Sequence, residues 1–378
     1  MRVALSVSVV QRGKSGVATY VFGLLQGFAK MDSPPEVHLF GLEEDRELFD
    51  AWSEFCEWHP IAEVYRPAVR NILWHQVIFP GLLKKLSPDL LHIPSYRRIL
   101  AVCPCPQMVT IHDMPFHLGN KYDPMRMFYG RVVVPQLALR ADRILTVSYA
   151  TASDVERFCE INRNNIQVVW NGIRHDLFVP PAKSQSRLME TKLGVTAPYF
   201  IYLARLEHPA KNHVRLIEAF EIFTQNNQDR EYHLVFGGAD WHGAEVIHER
   251  VSRSPLQKNI HSLGFVAQDE LPLWYGQAEA LVYPSLFEGF GLPPIEAMAT
   301  GCPVVSSDRG SLKEVIGDAA LVVDPYDLNG MAAALTEVSQ WETDRREKII
   351  SEGILHAAQF SWERCALQTV SLYQNLNG

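Results

Sequence analysis

The sequence predicts an α/β protein of two consecutive domains, each a mostly parallel sheet with helices on both faces. Three observations lead there. At 378 residues the chain exceeds what one hydrophobic core usually supports, so two domains of roughly 150 to 200 residues are expected. Short Val/Ile/Leu-rich runs alternate with longer stretches of helical periodicity along the whole length, the pattern of βαβ units. The alternation breaks once, near residue 175. There Asn171-Gly172-Ile173 reads as a turn, and Asp176-Leu177-Phe178-Val179-Pro180-Pro181, continued by Ala182-Lys183-Ser184-Gln185-Ser186, reads as a linker.

The domains are therefore placed at 1–175 and 176–360. In the first, strands are expected at 3–9, 37–40, 90–93, 108–111, 143–147 and 166–169. In the second they are expected at 199–203, 233–236, 260–263, 280–283, 304–306 and 321–323, with helices near 212–226, 294–300, 328–339 and 342–358. Open parallel sheets bind ligands at the carboxyl ends of their strands, and the two sets of ends are expected to face a central cleft.

Composition removes several function classes. Apolar residues at 47% and charged residues at 21% describe a globular chain, not a disordered one. The first ten residues run from an apolar stretch directly into a glycine loop without a small-residue cleavage site, so they read as a buried strand and not a signal peptide. No run approaches the ~20 apolar residues that span a bilayer, and a soluble or peripheral, cytoplasmic protein is expected. Six cysteines show neither disulfide density nor paired zinc spacing, and Cys103-Pro-Cys105 reads as structural thiols. The net charge of -8 is uneven: residues 1–180 hold 19 basic against 18 acidic side chains, the remainder 16 against 25. That balance argues against nucleic acid as a partner.

The most specific segment is Glu288-Gly289-Phe290-Gly291-Leu292-Pro293-Pro294-Ile295-Glu296, which follows the apolar run Ala280-Leu281-Val282-Tyr283. A strand, a glycine loop and a proline-started helix form a ligand-binding shape: the glycines admit close approach, and free amides near Phe290, Gly291 and Leu292 would point at hydroxyls or phosphate. Glu288 and Glu296 lie across that loop from one another, and carboxylates accept hydroxyl hydrogen bonds well. A second segment, Arg205-Leu206-Glu207-His208-Pro209-Ala210-Lys211, follows another strand. An Arg fork and a Lys point charge there suit a diphosphate.

The first domain offers weaker signals. Gly13-Lys14-Ser15-Gly16 opens the first helix after the first strand, and a small-residue loop at a helix N-terminus can receive phosphate, although the pattern is neither GxGxxG nor Walker. His112-Asp113 stands at the carboxyl end of the strand Val109-Thr110-Ile111. Ser148 and Asn171-Gly172 also end strands, where capping and turn formation explain them equally well. Gly237-Gly238 and Gly264-Phe265-Val266 end strands in the second domain, and Phe265 and Val266 are candidates to border a base. Residues 66–85 join basic ends to an apolar centre, a pattern that fits an anionic bilayer surface and also a core-packing helix.

These motifs resemble glycosyltransferase family 4, whose signature is two glutamates separated by seven residues around a glycine-rich turn, met here by Glu288 and Glu296. The resemblance covers nearly the whole chain. It implies the GT-B fold, with two Rossmann-like α/β domains facing a central cleft. The N-terminal domain would bind acceptor, the C-terminal domain nucleotide-sugar donor, and a last helix at about 361–378 would pack back on the N-terminal domain. It further implies Glu288 as the donor-sugar carboxylate, Glu296 as the ribose carboxylate, Arg205 and Lys211 as the diphosphate pair, Gly16 as an amide meeting that diphosphate, and His112 as the active-site histidine beside the sugar. The expected reaction retains anomeric configuration. No DxD or HExxH spacing occurs, so it is expected to need no metal or other cofactor.

The wording around both motifs resembles bacterial polysaccharide and O-antigen mannosyltransferases. This implies GDP-mannose as donor, a lipid-linked saccharide as acceptor, and peripheral contact with the inner face of the cytoplasmic membrane. A UDP-sugar transferase of the same fold and a non-catalytic sugar-nucleotide-binding subunit remain open beside it. A phosphorylase-like enzyme would need a lysine-bound pyridoxal phosphate and a longer chain. A nicotinamide dehydrogenase would need the GxGxxG-to-acid spacing that the first loop lacks.

Overall fold

The computed structural model describes residues 1–114, 124–182 and 188–377; most of the 182–186 part of the expected linker lies outside them. The described chain forms two compact units, Met1–Gly172 with Ser361–Gly378 and Ile173–Phe360. The division thus falls three residues before the 175/176 boundary read from the sequence.

The first unit holds β1 (Arg2–Ser6), β2 (Glu36–Leu42), β3 (Cys56–Ile61), β4 (Leu90–Ile93), β5 (Gln107–Ile111), β6 (Arg143–Thr146) and β7 (Ile166–Val168). They form one parallel sheet in the order β3-β2-β1-β4-β5-β6-β7. Alternate residues feed different cores. Val3 and Leu5 pack with Leu24 and Phe28 of the helix Gly16–Ala29, whereas Ala4 faces Trp74, Phe79 and Leu83 on the other side. Burial on both faces is why these strands read as continuous apolar runs.

The helix Trp362–Asn377 belongs to this first unit. Ser361 Oγ accepts from the Arg364 amide at 3.2 Å at its start, and the Tyr373 hydroxyl lies 2.6 Å from His92 Nδ1. The Trp362 ring lies flat against the helix Gly16–Ala29 because Gly23 leaves room for it: a Cβ there would stand 2.1 Å from Trp362 Cε2. Trp362 is therefore packing and not chemistry, and its truncation removes a fully packed indole at a cost of about 3–5 kcal/mol.

The second unit holds β8 (Tyr199–Leu203), β9 (His233–Gly237), β10 (Ile260–Ser262), β11 (Ala280–Tyr283), β12 (Val304–Ser307) and β13 (Leu321–Val323), parallel in the order β10-β9-β8-β11-β12-β13. The order reverses between β8 and β11, as it does between β1 and β4 in the first unit. Such switch points open a crevice at the carboxyl ends of the two central strands.

Three sequence expectations need correction. β1 ends at Ser6 and not at residue 9, because residues 8–10 turn after Val7 donates its amide to Phe40. β3 was not expected; its run Cys56-Glu57-Trp58-His59-Pro60-Ile61 carries charge and a proline, both tolerated because it is an edge strand. Residues 66–85 form two helices, Ala68–Val77 and Phe79–Leu86, since Pro80 starts the second.

Candidate donor site

Arg205 and Lys211 follow β8, and Glu288 follows β11, so the two segments singled out in the sequence flank the switch point of the second sheet. The two loops are tied together by their own polar atoms. The Tyr202 hydroxyl lies 2.8 Å from both the Lys211 carbonyl and Ser285 Oγ, and the Leu286 amide donates to the Ala210 carbonyl at 2.9 Å. This tie brings Lys211 Nζ to 2.6 Å from Glu288 Oε1, with the two side chains only 15% and 12% exposed. At such depth either charge alone would cost several kcal/mol in lost hydration, so the pair holds each member in place.

The backbone of Glu288 is clamped from the other side. Its carbonyl accepts from the Ser311 amide at 3.3 Å, and Ser311 Oγ stands 3.0 Å from that carbonyl and 2.8 Å from the Phe290 carbonyl. Gly291 has φ +100°, and a Cβ there would sit 2.7 Å from Leu312 Cδ2, so only glycine fits this turn. It caps the helix Leu292–Ala299 without any side-chain bond. Pro293 and Pro294 carry no amide hydrogen, so the donors left at the start of this helix are the amides of Gly291 and Leu292. The Phe290 side chain is buried, edge-on to Phe360, so this residue offers the site its backbone alone.

Glu296 is also brought to this helix, but inward. Its side chain is buried, and the Tyr275 hydroxyl donates to Oε2 at 3.1 Å. Burial pushes its carboxyl up to about 7, which the Tyr275 bond only partly offsets. Arg205 does not join Lys211 and Glu288 in direct contact. Its guanidinium lies 4.8 Å over the Trp241 ring and 3.7 Å from Glu207 Oε2, with about half of the side chain exposed. Phe265 is 65% exposed, while Val266 packs close to Gly237, and the Gly238 amide donates to the Gly264 carbonyl at 2.7 Å. The two loops at the ends of β9 and β10 are therefore neighbours.

In the first unit, Gly16 is the first residue of its helix and is exposed, with open space around it; Ser15 caps the helix by accepting from the Ala18 amide at 3.1 Å. His112 stands just beyond β5, its ring 4.8 Å from Tyr20 in an edge contact. Nε2 lies 3.1 Å from the Pro94 carbonyl and must donate to it, which makes Nδ1 the acceptor. Burial pushes this imidazole down to about 4, so it is neutral at pH 7. Ser148 is a helix cap, its Oγ accepting from the Thr151 amide at 3.0 Å. Cys103 and Cys105 are free thiols 3.8 Å apart.

Sequence reasoning missed Tyr202, Trp241, Tyr275 and Ser311. None lies in a recognisable motif; only the placement of Tyr202 at the end of β8 and Ser311 after β12 was open to strand-end reasoning. It also missed a buried polar set after β1 and β4, where Asn71 Oδ1 accepts from Ser8 Oγ and from Arg98, and His75 Nε2 lies 2.8 Å from Ser6 Oγ.

Residues 14–177 match the family described as Glycosyltransferase Family 4, and residues 188–356 match Glycosyl transferases group 1. The chain is 34% identical over 272 residues to an O-antigen chain mannosyltransferase B of Escherichia coli, covering 71% of this chain and 70% of that one. It is 28% identical to the O-antigen chain mannosyltransferase RfbU of Salmonella typhimurium, over 62% of this chain and 61% of the relative. Among solved structures, a sucrose-phosphate synthase from Thermosynechococcus elongatus superposes with a TM-score of 0.78 at 20% identity, over 100% and 99% of the two chains. Anabaena HepE in complex with UDP and glucose gives 0.77 at 17% identity, over 99% and 100%. Those two likenesses establish the GT-B fold, and with the close relative and the family matches they show that the chain belongs to glycosyltransferase family 4.

Proposed function

We propose that this glycosyltransferase moves a mannosyl residue from GDP-mannose to a hydroxyl of a lipid-linked saccharide, with retention of anomeric configuration and without a metal ion. The observation that carries the reading is the Lys211–Glu288 pair beside the open first turn of the helix Leu292–Ala299. It sets a fixed cation and a fixed carboxylate at the end of β11, a few residues before the start of that helix. In the proposed arrangement Lys211 and Arg205 hold the diphosphate and take up the negative charge that grows as the glycosidic bond breaks. Glu288 accepts from hydroxyls of the donor sugar, and Glu296 from the ribose. Phe265 and Val266 border the base.

From the first unit, the Gly16 amide is a phosphate donor, and His112 Nδ1 accepts from a sugar hydroxyl. The acceptor oxygen attacks the face of the sugar that carries the leaving group, and a diphosphate oxygen takes its proton. The residues supply position and electrostatics, not a dedicated base.

The mannosyl assignment is supported by the names of relatives: the Escherichia coli and Salmonella proteins are O-antigen chain mannosyltransferases, and a further relative at 29% identity is an MMP alpha-(1->4)-mannosyltransferase of Mycolicibacterium hassiacum. A lipid-linked acceptor, and with it a place at the inner face of the cytoplasmic membrane, is supported by the surface of the first unit. Among the described residues no helix is long and apolar enough to cross a membrane. Yet Val69, Leu73 and Val77 recur every fourth residue on one helix face and are 62%, 56% and 74% exposed, near the exposed basic residues Arg70, Lys84 and Lys85.

A thermal-shift panel of GDP-mannose, UDP-glucose, UDP-GlcNAc and dTDP-sugars tests the donor. GDP-mannose alone should raise the melting temperature, since binding to the native state stabilises it. A UDP-sugar that stabilises where GDP-mannose does not would replace the reading with a UDP-sugar transferase. Stabilisation by GDP-mannose without turnover on any lipid-linked acceptor would leave a binding subunit.

A further inference from the structure

β3 is one edge of the first sheet, and β2 lies between it and β1. Their register sets His38 opposite Glu57 and Phe40 opposite His59. Residues two apart share a face, so Glu36, His38, Glu57 and His59 gather on one side of this edge. His38 Nδ1 stands 2.9 Å from His59 Nε2 and 3.5 Å from Glu57 Oε2, and His59 Nε2 is 3.6 Å from Glu57 Oε1. The remaining nitrogen of His38, Nε2, lies 3.1 Å from Glu36 Oε1. The His59 ring is stacked on Phe40, with centroids 4.6 Å apart, which fixes its plane.

We propose that His38 Nδ1, His59 Nε2 and the Glu57 carboxylate form a binding site for a zinc-class divalent cation, with Glu36 orienting His38 from outside the coordination sphere. Two imidazoles and one carboxylate are a borderline donor set that suits Zn²⁺, and a solvent-side fourth position remains for water. Ligand atoms about 2.0 Å from a tetrahedral ion lie about 3.3 Å from one another. The two carboxylate separations are already close to that spacing, and the His–His separation must widen by about 0.4 Å. His38 is nearly buried and held by Glu36, so the shift falls to His59, which is 28% exposed and can slide within the plane that Phe40 sets.

The Glu36 contact orients His38, as a Glu231 contact at 3.5 Å orients His233 at the edge of the second sheet, so the carboxylate of Glu57 is what sets this cluster apart. A ligating histidine usually donates its other ring N–H to a carboxylate, which selects the tautomer with its lone pair toward the metal. Here Nε2–H to Glu36 leaves Nδ1 as the lone-pair nitrogen.

The second sheet contains an internal control. Its edge repeats the pattern: Glu231-Tyr232-His233 leads into β9 and Asn259-Ile260-His261 into β10, matching Glu36-Val37-His38 and Glu57-Trp58-His59. His233 Nδ1 and His261 Nε2 are 2.8 Å apart and the rings stack. Where Glu57 stands in the first sheet, however, this one has Asn259, whose amide donates to Glu231 Oε1 at 2.8 Å. The same histidine pair is therefore a hydrogen-bonded sheet-edge pair in one unit, and acquires a third, anionic ligand in the other.

The full chain, stripped with a chelator and exchanged into buffer at pH 7.5, is titrated with Zn²⁺ by calorimetry and with Co²⁺ by visible absorption. One equivalent of Zn²⁺ should bind, Co²⁺ should give the intense bands of a tetrahedral site, and Zn²⁺ should raise the melting temperature of the first unit. His59→Ala and Glu57→Gln, both at partly exposed positions, should abolish binding while circular dichroism stays unchanged. Glu36→Gln should weaken it roughly 10- to 100-fold, and His261→Ala should leave one equivalent bound. No saturable binding, binding that survives both His59→Ala and Glu57→Gln, or binding lost in His261→Ala would overturn the proposal.

Discussion

Glu296 ties the donor site to pH in a way that can be worked out in advance. Its carboxyl is pushed from 4.5 up to about 7 by burial, with the Tyr275 hydroxyl bond opposing. A folded value above the unfolded one means that the native state keeps its full stability below pH 4.5 and loses it as the pH rises through 7, because the unfolded chain gives up its proton first. At about 1.36 kcal/mol per tenfold change in proton activity, the loss attributable to Glu296 between pH 5 and pH 8 is about 2.5 kcal/mol. Glu296→Gln keeps the shape and the Tyr275 contact but cannot ionise. Urea unfolding of both proteins from pH 5 to pH 8, with hydrogen exchange at the β11 amides reporting the second unit, should therefore show the variant gaining on the wild type by that amount. In the proposed arrangement the ribose hydroxyls donate to the ionised form, so nucleotide affinity in the wild type should fall about 10-fold from pH 8 to pH 6, with proton release on binding, and should be flat in the variant. Parallel stability curves for the two proteins would refute the burial argument. A flat affinity profile in the wild type would refute the ribose assignment.

Other consequences follow from the same geometry. Lys211→Met and Glu288→Gln should each abolish transfer, and a double-mutant cycle on nucleotide-sugar binding should return a coupling of about 1–3 kcal/mol; independent effects would mean that the 2.6 Å pair is incidental. Trp241→Ala removes the ring under Arg205, worth about 1 kcal/mol, and should weaken diphosphate binding about 5-fold in calorimetry without altering the circular dichroism spectrum. Gly291→Ala forces a side chain into φ +100° and against Leu312, and should lower the stability of the second unit by about 2–3 kcal/mol in urea. Leu73→Glu with Val77→Glu should reduce sedimentation with anionic vesicles while leaving transfer to a soluble acceptor analogue intact; unchanged sedimentation would remove the membrane role from this face.

The two sheets were legible because their strands are buried on both faces and so appear as short, unbroken apolar runs; twelve such runs are strands in the structure, with ends within a few residues of those read from sequence. The exception, β3, illustrates the limit. As an edge strand it is buried on neither side completely, and its Glu57, His59 and Pro60 hide it from a hydrophobic criterion. In the candidate donor site, Glu288, Glu296, Arg205 and Lys211 stand out in the sequence because they surround glycine, proline and strand-end signals. The partners that hold them do not: Tyr202 and Tyr275 look like core aromatics in the sequence, and each is distinguished only by where its hydroxyl ends.

The two glutamates, alike in the sequence, owe their different chemistry to that hidden layer. Glu288 meets a cation across a loop tie made by Tyr202, Ser285 and Leu286, so its charge is matched before any ligand arrives. Glu296 meets only a neutral phenol in a buried pocket, so its charge is unmatched and held back until something donates to it. A carboxylate paired in advance is suited to hold fixed geometry around a reacting sugar, because its position is set before anything binds. A carboxyl poised near neutrality is suited to a recognition contact, since its ionisation is driven by the hydroxyls it receives and adds a proton-linked term to affinity. Exchanging the environments tests this directly. Tyr275→Phe removes the one donor to Glu296 and should raise its apparent value further, shifting the pH at which nucleotide affinity falls upward. If the profile does not move, the poise of Glu296 does not depend on the Tyr275 hydroxyl.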